Sequence, residues 1–370
     1  MVSGFQGLRR YSRHLLIPEV GVQGQRRLQE TRALCIGAGG LGAPVLSYLA
    51  AAGVGRIGIM DADVVDETNL QRQVLFATSD IGRVKVEVAA ERLRAMNPLI
   101  SVDPMAVEFD ERNGRELVRL YDVILDCTDR FESRYLINDA CVLEQKPDVY
   151  SSIFRFDGQV SVFGFQGGPC YRCLFPEAPP AHSVPTCAEG GVLGVLAGMV
   201  GSFAANEALK LLLGIGEPLA ARMLLVDASV GATQEVRFAR DPQCVLCGDS
   251  PSLTDLRLET VSDFAPRVDV EEIGAAQLDR ALAQARLLDV REPHEAVLGT
   301  VEGAIAIPAS QLEARMHELD TADRYIVACR VGERSRWAVA RLRDAGFKKL
   351  GHLEGGLLAY AVYDHALEIF

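Results

Sequence analysis

The chain has 370 residues, of which 49% are hydrophobic and 24% are charged, and its formal net charge at pH 7 is −12. This length exceeds that of a typical single domain, so we predict two domains that each bury a hydrophobic core. The negative charge argues against nucleic acid or an anionic membrane surface as the main partner, so any phosphate-binding site must be local.

The start of the chain, "MVSGFQGLRRYSRHLL", has arginines but no continuous apolar segment of signal-peptide length. The longest apolar run, "GVLGVLAGMVGSFAA", is short and interrupted by glycine, which favours a buried helix over a membrane span. Nine cysteines in such a chain favour metal and thiol chemistry over disulfides, because the cytosol keeps thiols reduced. We therefore expect a cytoplasmic protein.

Short β-rich runs alternate with helical stretches from residue 31 to about 130, and this alternation predicts a parallel sheet with helical crossovers. Strand-like pieces in "DGQVSVFGF" and "ARMLLVDASVGATQEVRF" continue the same α/β unit. A polar stretch with two prolines follows, and then strand, loop and helix patterns return. We predict an α/β fold with a first domain over 1–250, a linker over 251–267 and a smaller second domain over 268–370.

The string "CIGAGGLGAP" places Gly37, Gly39 and Gly42 in a G-x-G-x-x-G pattern between a strand and a helix. Glycines there let the backbone approach phosphates at the helix N-terminus. Asp61 lies 19 residues after Gly42, at the end of the next strand, where a carboxylate can bind a ribose hydroxyl. These features alone fit a nicotinamide dehydrogenase equally well.

Cationic and amide side chains follow in "DETNLQRQVLFATSDIGRVKVEVAA", namely Asn69, Arg72 and Lys85, and Arg13 lies upstream in "RRYSRHLL". A triphosphate needs such charges, whereas a pyrophosphate-bridged dinucleotide needs fewer. Any one of these residues fits an ordinary surface position. Their clustering around a glycine loop favours a triphosphate site.

Two C-x-x-C pairs, separated by 70 residues, stand in "CYRC" and "CVLC". Their members are Cys170, Cys173, Cys244 and Cys247. Four thiolates in two such pairs are typical of a closed structural zinc site, and the alternative is two unrelated redox or surface pairs. Three further cysteines in strand or helix patterns are predicted to be buried small hydrophobes, namely Cys35, Cys127 and Cys141.

Two thiols remain in loops, Cys187 in "PTCAEGG" and Cys329 in "ACRVGERSRWAVARL". Cys329 comes directly after an apolar strand and before a helix, with Arg330 and Arg334 nearby. Backbone amides and a helix N-terminus aimed at a sulfur stabilise a thiolate or a persulfide. We therefore predict that Cys329 is a nucleophile.

The first part of the chain resembles the bacterial ubiquitin-activating-type adenylyltransferases, which activate the sulfur-carrier proteins of molybdopterin and thiazole synthesis. The resemblance runs from about residue 8 to 248 through "RRYSRHLL", "GAGGLG", "DADVVDETNLQRQ", "KVEVAAERLRAMNP", "DCTD", "CYRC", "PTCAEGG" and "CVLC". It implies a Rossmann-like sheet with a structural zinc site. It also implies an enzyme that uses ATP to adenylate the C-terminal glycine of a small ubiquitin-like protein and releases pyrophosphate.

The same resemblance assigns roles to individual residues. It implies that Asp129 holds a catalytic Mg²⁺ ion and that Gly40 and Asp61 contact the nucleotide, with help from Asn69. Cations around the phosphates are expected at three positions, which are Arg13, Arg72 and Lys85.

Two implications concern the surroundings of that site. The arginine that matches Arg13 reaches into the partner subunit's site in this family, which implies a homodimer. Arg130 stands where the family usually has asparagine, so the nucleotide contact expected at Arg130 is in question.

Residues 268 to 368 resemble the rhodanese family through "LLDVREPHEAVLGTVEGAIAIP", "CRVGERS" and "HLEGG". Arg334 follows Cys329 by five positions, as in the six-residue sulfurtransferase loop, whereas the related phosphatases need arginine one position later, where this chain has Ser335. The resemblance therefore favours sulfur over phosphate. Asp289 and Arg291 are predicted to be structural.

The fusion of these two domains predicts one product, a carrier protein that ends in a thiocarboxylate. ATP would convert the carrier's C-terminal Gly-Gly carboxylate into an acyl adenylate, which a persulfide on Cys329 attacks to give an acyl disulfide. Cys187 would then cleave that disulfide, or alternatively attack the adenylate first and form a thioester. The sulfur would come from an external donor such as a cysteine desulfurase.

Two other functions stay open at this point. A non-catalytic scaffold for carrier proteins is one, if the change to Arg130 has removed turnover, and a nicotinamide oxidoreductase is the other. The carrier's pathway also stays open, because molybdopterin, thiazole, cysteine and transfer-RNA thiolation use similar activators.

Overall fold

The structure, a computed structural model, describes residues 7, 9–177, 190–257, 270–297 and 299–363. These residues form two compact units, the first of which ends within the stretch that follows residue 257 and the second of which includes residue 270 and the residues after it. Each unit has its own sheet and its own hydrophobic core.

The first unit is built on eight strands. In chain order they are β1 (Arg32–Ile36), β2 (Arg56–Met60), β3 (Ser101–Met105), β4 (Val123–Asp126), β5 (Asp148–Phe154), β6 (Asp157–Phe163), β7 (Arg222–Asp227) and β8 (Ala232–Arg237). They lie in the order β3-β2-β1-β4-β5-β6-β7-β8. Strands β1 to β5 pair in parallel, as the alternating sequence pattern predicts, and β5 to β8 pair antiparallel.

Eight helices of the first unit are described. They are α1 (Ser12–Leu15), α2 (Gly21–Glu30), α3 (Gly42–Ala52), α4 (Lys85–Met96), α5 (Gly114–Arg119), α6 (Phe131–Leu143), α7 (Tyr171–Leu174) and α8 (Gly194–Leu213). The central strands β1 and β4 are apolar along most of their length because helices cover both faces of the sheet.

Helix α8 is the apolar run that the sequence predicts to be a buried helix. Among the described residues it is the one helix whose length and composition would suit a membrane span, and half of its most apolar window is buried inside the protein. Gly201 on this helix faces Pro44 of α3, where a Cβ would lie 2.4 Å from the proline ring. Helix α8 therefore packs as part of the core of the first unit.

The second unit has five parallel strands, β9 (Glu271–Ile273), β10 (Arg286–Asp289), β11 (Ile305–Ala306), β12 (Tyr325–Ala328) and β13 (Leu350–Leu353). Their order is β11-β10-β12-β13-β9. The described helices are α9 (Leu278–Leu282), α10 (Pro293–Ala296), α11 (Leu312–Arg315), α12 (Glu333–Asp344) and α13 (Gly356–Tyr363). Strand β12 is central and fully buried, so the loop that follows it starts from a rigid position.

The first residues of the predicted linker pack on the first unit. Leu256 is buried against Phe109, and Asp255 forms an ion pair with Arg115 at 3.2 Å. Burial of an apolar side chain stabilises its segment by roughly 1.5–3 kcal/mol, so residues 251–257 behave as part of this unit. The rest of the predicted linker, residues 258–267, lies outside the described residues.

Candidate nucleotide, zinc and sulfur sites

The glycine loop joins β1 to α3, and two of its glycines are sterically required. Gly37 has φ +96°, and a Cβ there would lie 2.7 Å from the carbonyl oxygen of Cys127. A Cβ on Gly42 would lie 2.0 Å from the carbonyl oxygen of Gly37. A larger residue at either position would open the loop.

The other two glycines are less tightly enclosed. A Cβ on Gly39 would meet its nearest neighbour, the Gln73 amide, at 3.5 Å, and one on Gly40 would lie 3.3 Å from Ala197 Cβ and 3.4 Å from Arg72 Cγ. The Arg72 side chain therefore lies along the glycine loop. Its guanidinium donates to the carbonyl oxygen of Thr68 at 2.9 Å, which fixes its direction.

Asp61, at the end of β2, is bonded to the glycine loop. Its carboxylate accepts from the backbone N–H of Ala38 at 2.8 Å and from that of Asp63 at 2.9 Å. A carboxylate has about four acceptor sites, so Asp61 retains capacity for a sugar hydroxyl. The structure thus brings Asp61 to the loop, as the spacing predicts.

Lys85 is the first residue of α4, and its side chain is buried. Its ammonium lies 2.8 Å from Asp63, whose side chain is mostly exposed. Through Asp63, Lys85 is linked to Asp61 and to the glycine loop. Asn69 lies in a single-turn helix over Glu67–Asn69, with its side-chain amide 3.4 Å from the hydroxyl of Thr68.

The loop after β4 carries Asp129. Asp126, in register with Ile36 of β1, accepts from the backbone N–H and hydroxyl of Thr128 at 2.9 and 2.7 Å. Arg134 donates to the carbonyl oxygen of Thr128 at 3.3 Å. The Asp129 side chain is exposed and forms no hydrogen bond or ion pair with any described residue. Because β1 and β4 are adjacent and parallel, their loops emerge at the same edge of the sheet.

Asp126 itself is fully buried. Burial raises the pKa of its carboxyl group above the usual range, although the charge of Arg134 and the bonds from Thr128 oppose that shift. One of its oxygens has no partner in the described part of the chain. We interpret Asp126 as the residue that shapes the loop rather than one that meets substrate.

Arg130 and Arg13 are exposed cations outside the glycine loop. Arg130 lies 3.1 Å from Glu108, and both side chains are more than half exposed. Arg13 is exposed on α1 and forms no ion pair with a described residue. Tyr11, just before α1, is buried, and its hydroxyl accepts from Asn97 at 2.9 Å, so the segment that carries Arg13 is anchored.

The two C-x-x-C pairs meet in one cluster. The sulfur atoms of Cys170, Cys173, Cys244 and Cys247 all lie within 4.8 Å of one another. The closest separations are 3.3 Å for Cys173–Cys247, 3.6 Å for Cys170–Cys244 and 3.9 Å for Cys170–Cys173. A tetrahedral zinc ion with Zn–S distances of about 2.3 Å separates its sulfur ligands by roughly 3.8 Å. The donor set therefore fits Zn²⁺.

The surroundings of the cluster support a structural role. The backbone N–H of Asp241 points at the sulfur of Cys173 at 3.4 Å, and Arg240 donates to the Cys247 carbonyl oxygen at 2.8 Å. Arg172, between the first two cysteines, forms a buried bidentate pair with Asp139 of α6 at 2.7 and 2.8 Å. The cluster is thus tied to the core of the first unit.

Three of the remaining cysteines, Cys35, Cys127 and Cys141, are buried, as the sequence predicts. Cys187 lies among 178–189, outside the described residues. The chain just after that stretch is held in place, because Arg155 N–H donates to Gly191 at 3.1 Å and Leu193 N–H donates to Arg155 at 3.0 Å.

Cys329 begins the loop between β12 and α12. Its sulfur accepts from the backbone N–H of Gly332 at 3.1 Å, and Gly332 is also the residue that precedes the first turn of α12. The helix N-terminus therefore faces the sulfur, as predicted. A loop of this shape holds an anionic sulfur by backbone dipoles.

Arg334, which follows Cys329 by five positions, is held by a carboxylate from another part of the chain. Its guanidinium forms a buried bidentate pair with Glu295, with both distances at 2.6 Å. Burial alone would raise the pKa of Glu295, but the bonds from Arg334 outweigh it and hold that pKa below the usual range. A second buried pair joins Arg291 to Asp289 at 2.7 Å, in keeping with a structural role.

Several residues near these sites were not singled out from the sequence. His352 and Ser335 contact the Gly332 carbonyl oxygen, Glu295 holds Arg334, and Arg134 supports the Asp129 loop. A polar side chain in an otherwise apolar strand or helix face was the available signal for His352. The others have partners distant in sequence, so local spacing carried no signal.

Comparison with known proteins agrees with both units. The ThiF family matches residues 11–246, and the rhodanese-like domain matches residues 274–362. The probable adenylyltransferase/sulfurtransferase MoeZ of Mycobacterium tuberculosis is 44% identical over 361 residues, which cover 95% of this chain and 92% of that protein. The sulfur carrier protein adenylyltransferase of Thermus thermophilus is 50% identical over 254 residues, which cover 67% of this chain and 94% of that protein.

A solved structure shares the fold. The crystal structure of E. coli MccB with AMPCPP and selenomethionine MccA superposes with a TM-score of 0.57 at 24% identity, covering 65% of this chain and 74% of that one. The resemblance and the fold class inferred from the motifs are thereby confirmed. The chain belongs to the ThiF family and carries a C-terminal rhodanese-like domain.

Proposed function

We propose that this enzyme adenylates the C-terminal glycine of a small sulfur-carrier protein and then converts it to a thiocarboxylate. The observation that carries the proposal is the pairing of a glycine loop, with Asp61 bonded to it, and a cysteine loop in one chain. Relatives that match along almost the whole chain are named adenylyltransferase and sulfurtransferase, which supports the same pairing.

In the first step the carrier carboxylate attacks the α-phosphorus of ATP, an acyl adenylate forms and pyrophosphate leaves. The glycine loop, Gly37, Gly39, Gly40 and Gly42, lies against the nucleotide phosphates, and Asp61 binds the ribose. Arg72, Lys85 and Asn69 flank the phosphates. Charge neutralisation by positioned cations lowers the barrier where negative charge accumulates.

Asp129 is the proposed ligand for Mg²⁺, which would neutralise phosphate charge when bound. Its exposed carboxylate, free of partners among the described residues, fits a hard cation with oxygen ligands. Arg130 contributes a further cation at the rim of the site. Its ion pair with Glu108 is exposed and therefore weak, so the guanidinium can exchange this carboxylate for a phosphate.

In the second step a persulfide on Cys329 attacks the acyl carbon, and AMP leaves. Cys187 then attacks the Cys329 sulfur of the acyl disulfide, which releases the thiocarboxylate and leaves a Cys187–Cys329 disulfide for an external thiol to reduce. Attack of Cys187 on the adenylate, with a thioester as intermediate, is the alternative order. The persulfide sulfur comes from a donor such as a cysteine desulfurase.

We further propose a homodimer in the cytoplasm, with Arg13 reaching the site of the partner subunit. Its exposure on an anchored helix and its lack of an ion pair among described residues support this role. The proposed division into domains over 1–250 and 268–370, joined by a linker over 251–267, goes with these roles. The carrier ends in Gly-Gly and serves cofactor synthesis, cysteine synthesis or transfer-RNA thiolation.

Carrier-dependent exchange of labelled pyrophosphate into ATP tests the first step. Wild-type protein should catalyse exchange only when a cognate carrier ending in Gly-Gly is present. Absence of exchange with every cognate carrier would remove the adenylation step and leave a carrier-binding scaffold.

The zinc site has its own test. Metal analysis of purified wild-type protein should find one zinc ion per chain, and the substitution Cys247→Ser should abolish it and lower the Tm of the first unit. Cys141→Ser, which alters a buried cysteine outside the cluster, is the control and should retain the zinc. Retention of zinc by Cys247→Ser would contradict the assigned ligand set.

A further inference from the structure

A short segment behind the Cys329 loop holds three of the loop's carbonyl oxygens. The backbone N–H groups of Leu357 and Leu358 donate to the first two carbonyls of the loop, at 2.8 and 2.9 Å. The ring nitrogen Nε2 of His352 contacts the carbonyl oxygen of Gly332 at 2.8 Å. Because these three carbonyl oxygens point toward residues 352–358, they do not point toward the sulfur of Cys329, which meets the Gly332 N–H instead.

Gly332 is the point at which this arrangement reaches the sulfur. Its φ is +102°, a left-handed conformation that favours glycine, and its N–H lies 3.1 Å from the sulfur of Cys329. The hydroxyl of Ser335 also donates to the Gly332 carbonyl oxygen, at 2.9 Å. Three donors thus converge on that oxygen, because the backbone N–H of Arg336 also donates to it, at 3.3 Å.

His352 is an unusual residue for its position. It lies in β13, whose four residues are all buried, and it is 1% exposed. Because the Gly332 oxygen only accepts, Nε2 must carry the proton, and Nδ1 has no partner among the described residues. An apolar residue would avoid leaving a buried nitrogen without a hydrogen bond, which is destabilising. The hydrogen bond that Nε2 donates to the Gly332 carbonyl oxygen offsets the cost of the unpaired Nδ1.

We propose that His352, together with Ser335, is a positioning residue for sulfur transfer. The two donors fix the Gly332–Glu333 peptide through its carbonyl oxygen and so hold Gly332 in its left-handed conformation. In that conformation the N–H of Gly332, which belongs to the preceding peptide, stays directed at the sulfur of Cys329, where it stabilises the thiolate and the persulfide. His352 does not touch the substrate and acts only through Gly332. The inference rests on the proposed role of Cys329 as the sulfur carrier.

The test measures sulfur transfer from thiosulfate to cyanide by the full-length chain. His352→Leu places an apolar side chain at this buried position and removes the donor. It should lower kcat about tenfold, which corresponds to the free energy of one lost hydrogen bond. KM for thiosulfate should stay unchanged, and the acidic limb of the pH–rate profile should move to higher pH. His352→Gln, which supplies an N–H donor, should recover most of the loss.

Two further variants sharpen the result. Ser335→Ala should lower kcat in the same direction, because it removes the second donor. His317→Leu is the matched control, since His317 is exposed in the single-turn helix over Met316–Glu318, and it should behave as wild type. If His352→Leu matches His317→Leu in both kcat and pH profile, the proposal is wrong.

Thermal unfolding identifies any variant that does not fold. If His352→Leu is unfolded, an active His352→Gln with a reduced kcat in Ser335→Ala supports the proposal, and an unchanged kcat in Ser335→Ala overturns it. Absence of turnover in the wild type would instead remove the proposed function of Cys329. In that case, equal rates of Cys329 carbamidomethylation by iodoacetamide in His352→Leu and His317→Leu would overturn the positioning role.

Discussion

The glycine loop of the first unit and the cysteine loop of the second lie at equivalent places in their own sheets, each after a strand that pairs in parallel with both of its neighbours. Each follows a buried strand, β1 or β12, and each leads directly into a helix, α3 or α12. They differ in how their charges are held. Around the glycine loop, Asp129 and Arg130 are exposed, whereas beside the cysteine loop Arg334 and Glu295 form a buried pair.

This difference matches the size of what each loop handles. A nucleotide and a protein tail need a wide, open site. Exposed side chains such as those of Asp129 and Arg130 can reorient to contact ligands of that size. A single sulfur atom needs dipoles at fixed positions, which buried hydrogen bonds provide. Substitutions should therefore affect catalysis without stability in the first unit, and stability together with catalysis in the second.

The largest expected effect separates the two chemistries. Cys329→Ala should reduce sulfur transfer by about three orders of magnitude or more, because no other group in that loop can carry the persulfide. Pyrophosphate exchange should stay at the wild-type rate. Loss of exchange in Cys329→Ala would show that the two loops do not act independently in their first steps.

The reciprocal substitution is Asp129→Asn. It should lower carrier-dependent pyrophosphate exchange about 10²–10³-fold, the usual size of losing one electrostatic contact to the transition state. Sulfur transfer from thiosulfate and Tm should stay the same, because the side chain is exposed. Asp157→Asn, at an exposed position at the start of β6, is the control, and equal exchange rates in the two variants would contradict the role of Asp129.

Stability should respond in the second unit. Glu295→Ala leaves the buried Arg334 guanidinium without its carboxylate partner and should lower the free energy of unfolding of that unit by about 3–5 kcal/mol. Glu318→Ala breaks an exposed pair with Arg315 and should leave that free energy of unfolding nearly unchanged. Scanning calorimetry of the full chain measures both, and similar losses would contradict the contrast between buried and exposed charges.

The smallest effect is a pH dependence from His352. Burial is the main cause that lowers the pKa of His352, with Arg336 acting in the same direction and the Gly332 bond, Glu272 and Glu354 opposing it. A histidine with a lowered native pKa contributes stability above its unfolded pKa of about 6.5, and this stability is lost as the pH falls through the native pKa. His352→Leu should flatten the pH dependence of Tm below about pH 6.5. An unchanged slope would exclude His352 as its source.

Much of the architecture follows from local patterns in the sequence. Strands β1 and β4 are short apolar runs that alternate with helices, and a glycine loop after β1 has few structural interpretations. The cluster of four cysteines was predicted for a similar reason, because each C-x-x-C pair supplies two of the four ligands of a tetrahedral site. Patterns of this kind depend on neighbours along the chain.

The features that escaped prediction depend on residues far apart in sequence. Glu295 and Arg334 are 39 positions apart, and nothing near Arg334 indicated that a carboxylate would neutralise it. The contact of His352 with Gly332 spans 20 positions. Strands β6 to β8 were predicted as strands, but β6 pairs antiparallel with β7 although the whole of α8 lies between them in sequence, and spacing does not encode that pairing.

One measurement tests the joint action of the two loops most directly. The chain is incubated with ATP, Mg²⁺, a cognate carrier ending in Gly-Gly, thiosulfate and a thiol reductant, and the carrier is analysed by mass spectrometry. We expect a mass increase equal to the exchange of one carboxylate oxygen for sulfur, absent in both Cys329→Ala and Asp129→Asn. A thiocarboxylate formed equally well by either variant, or none formed by the wild type with any cognate carrier, would contradict the proposed function.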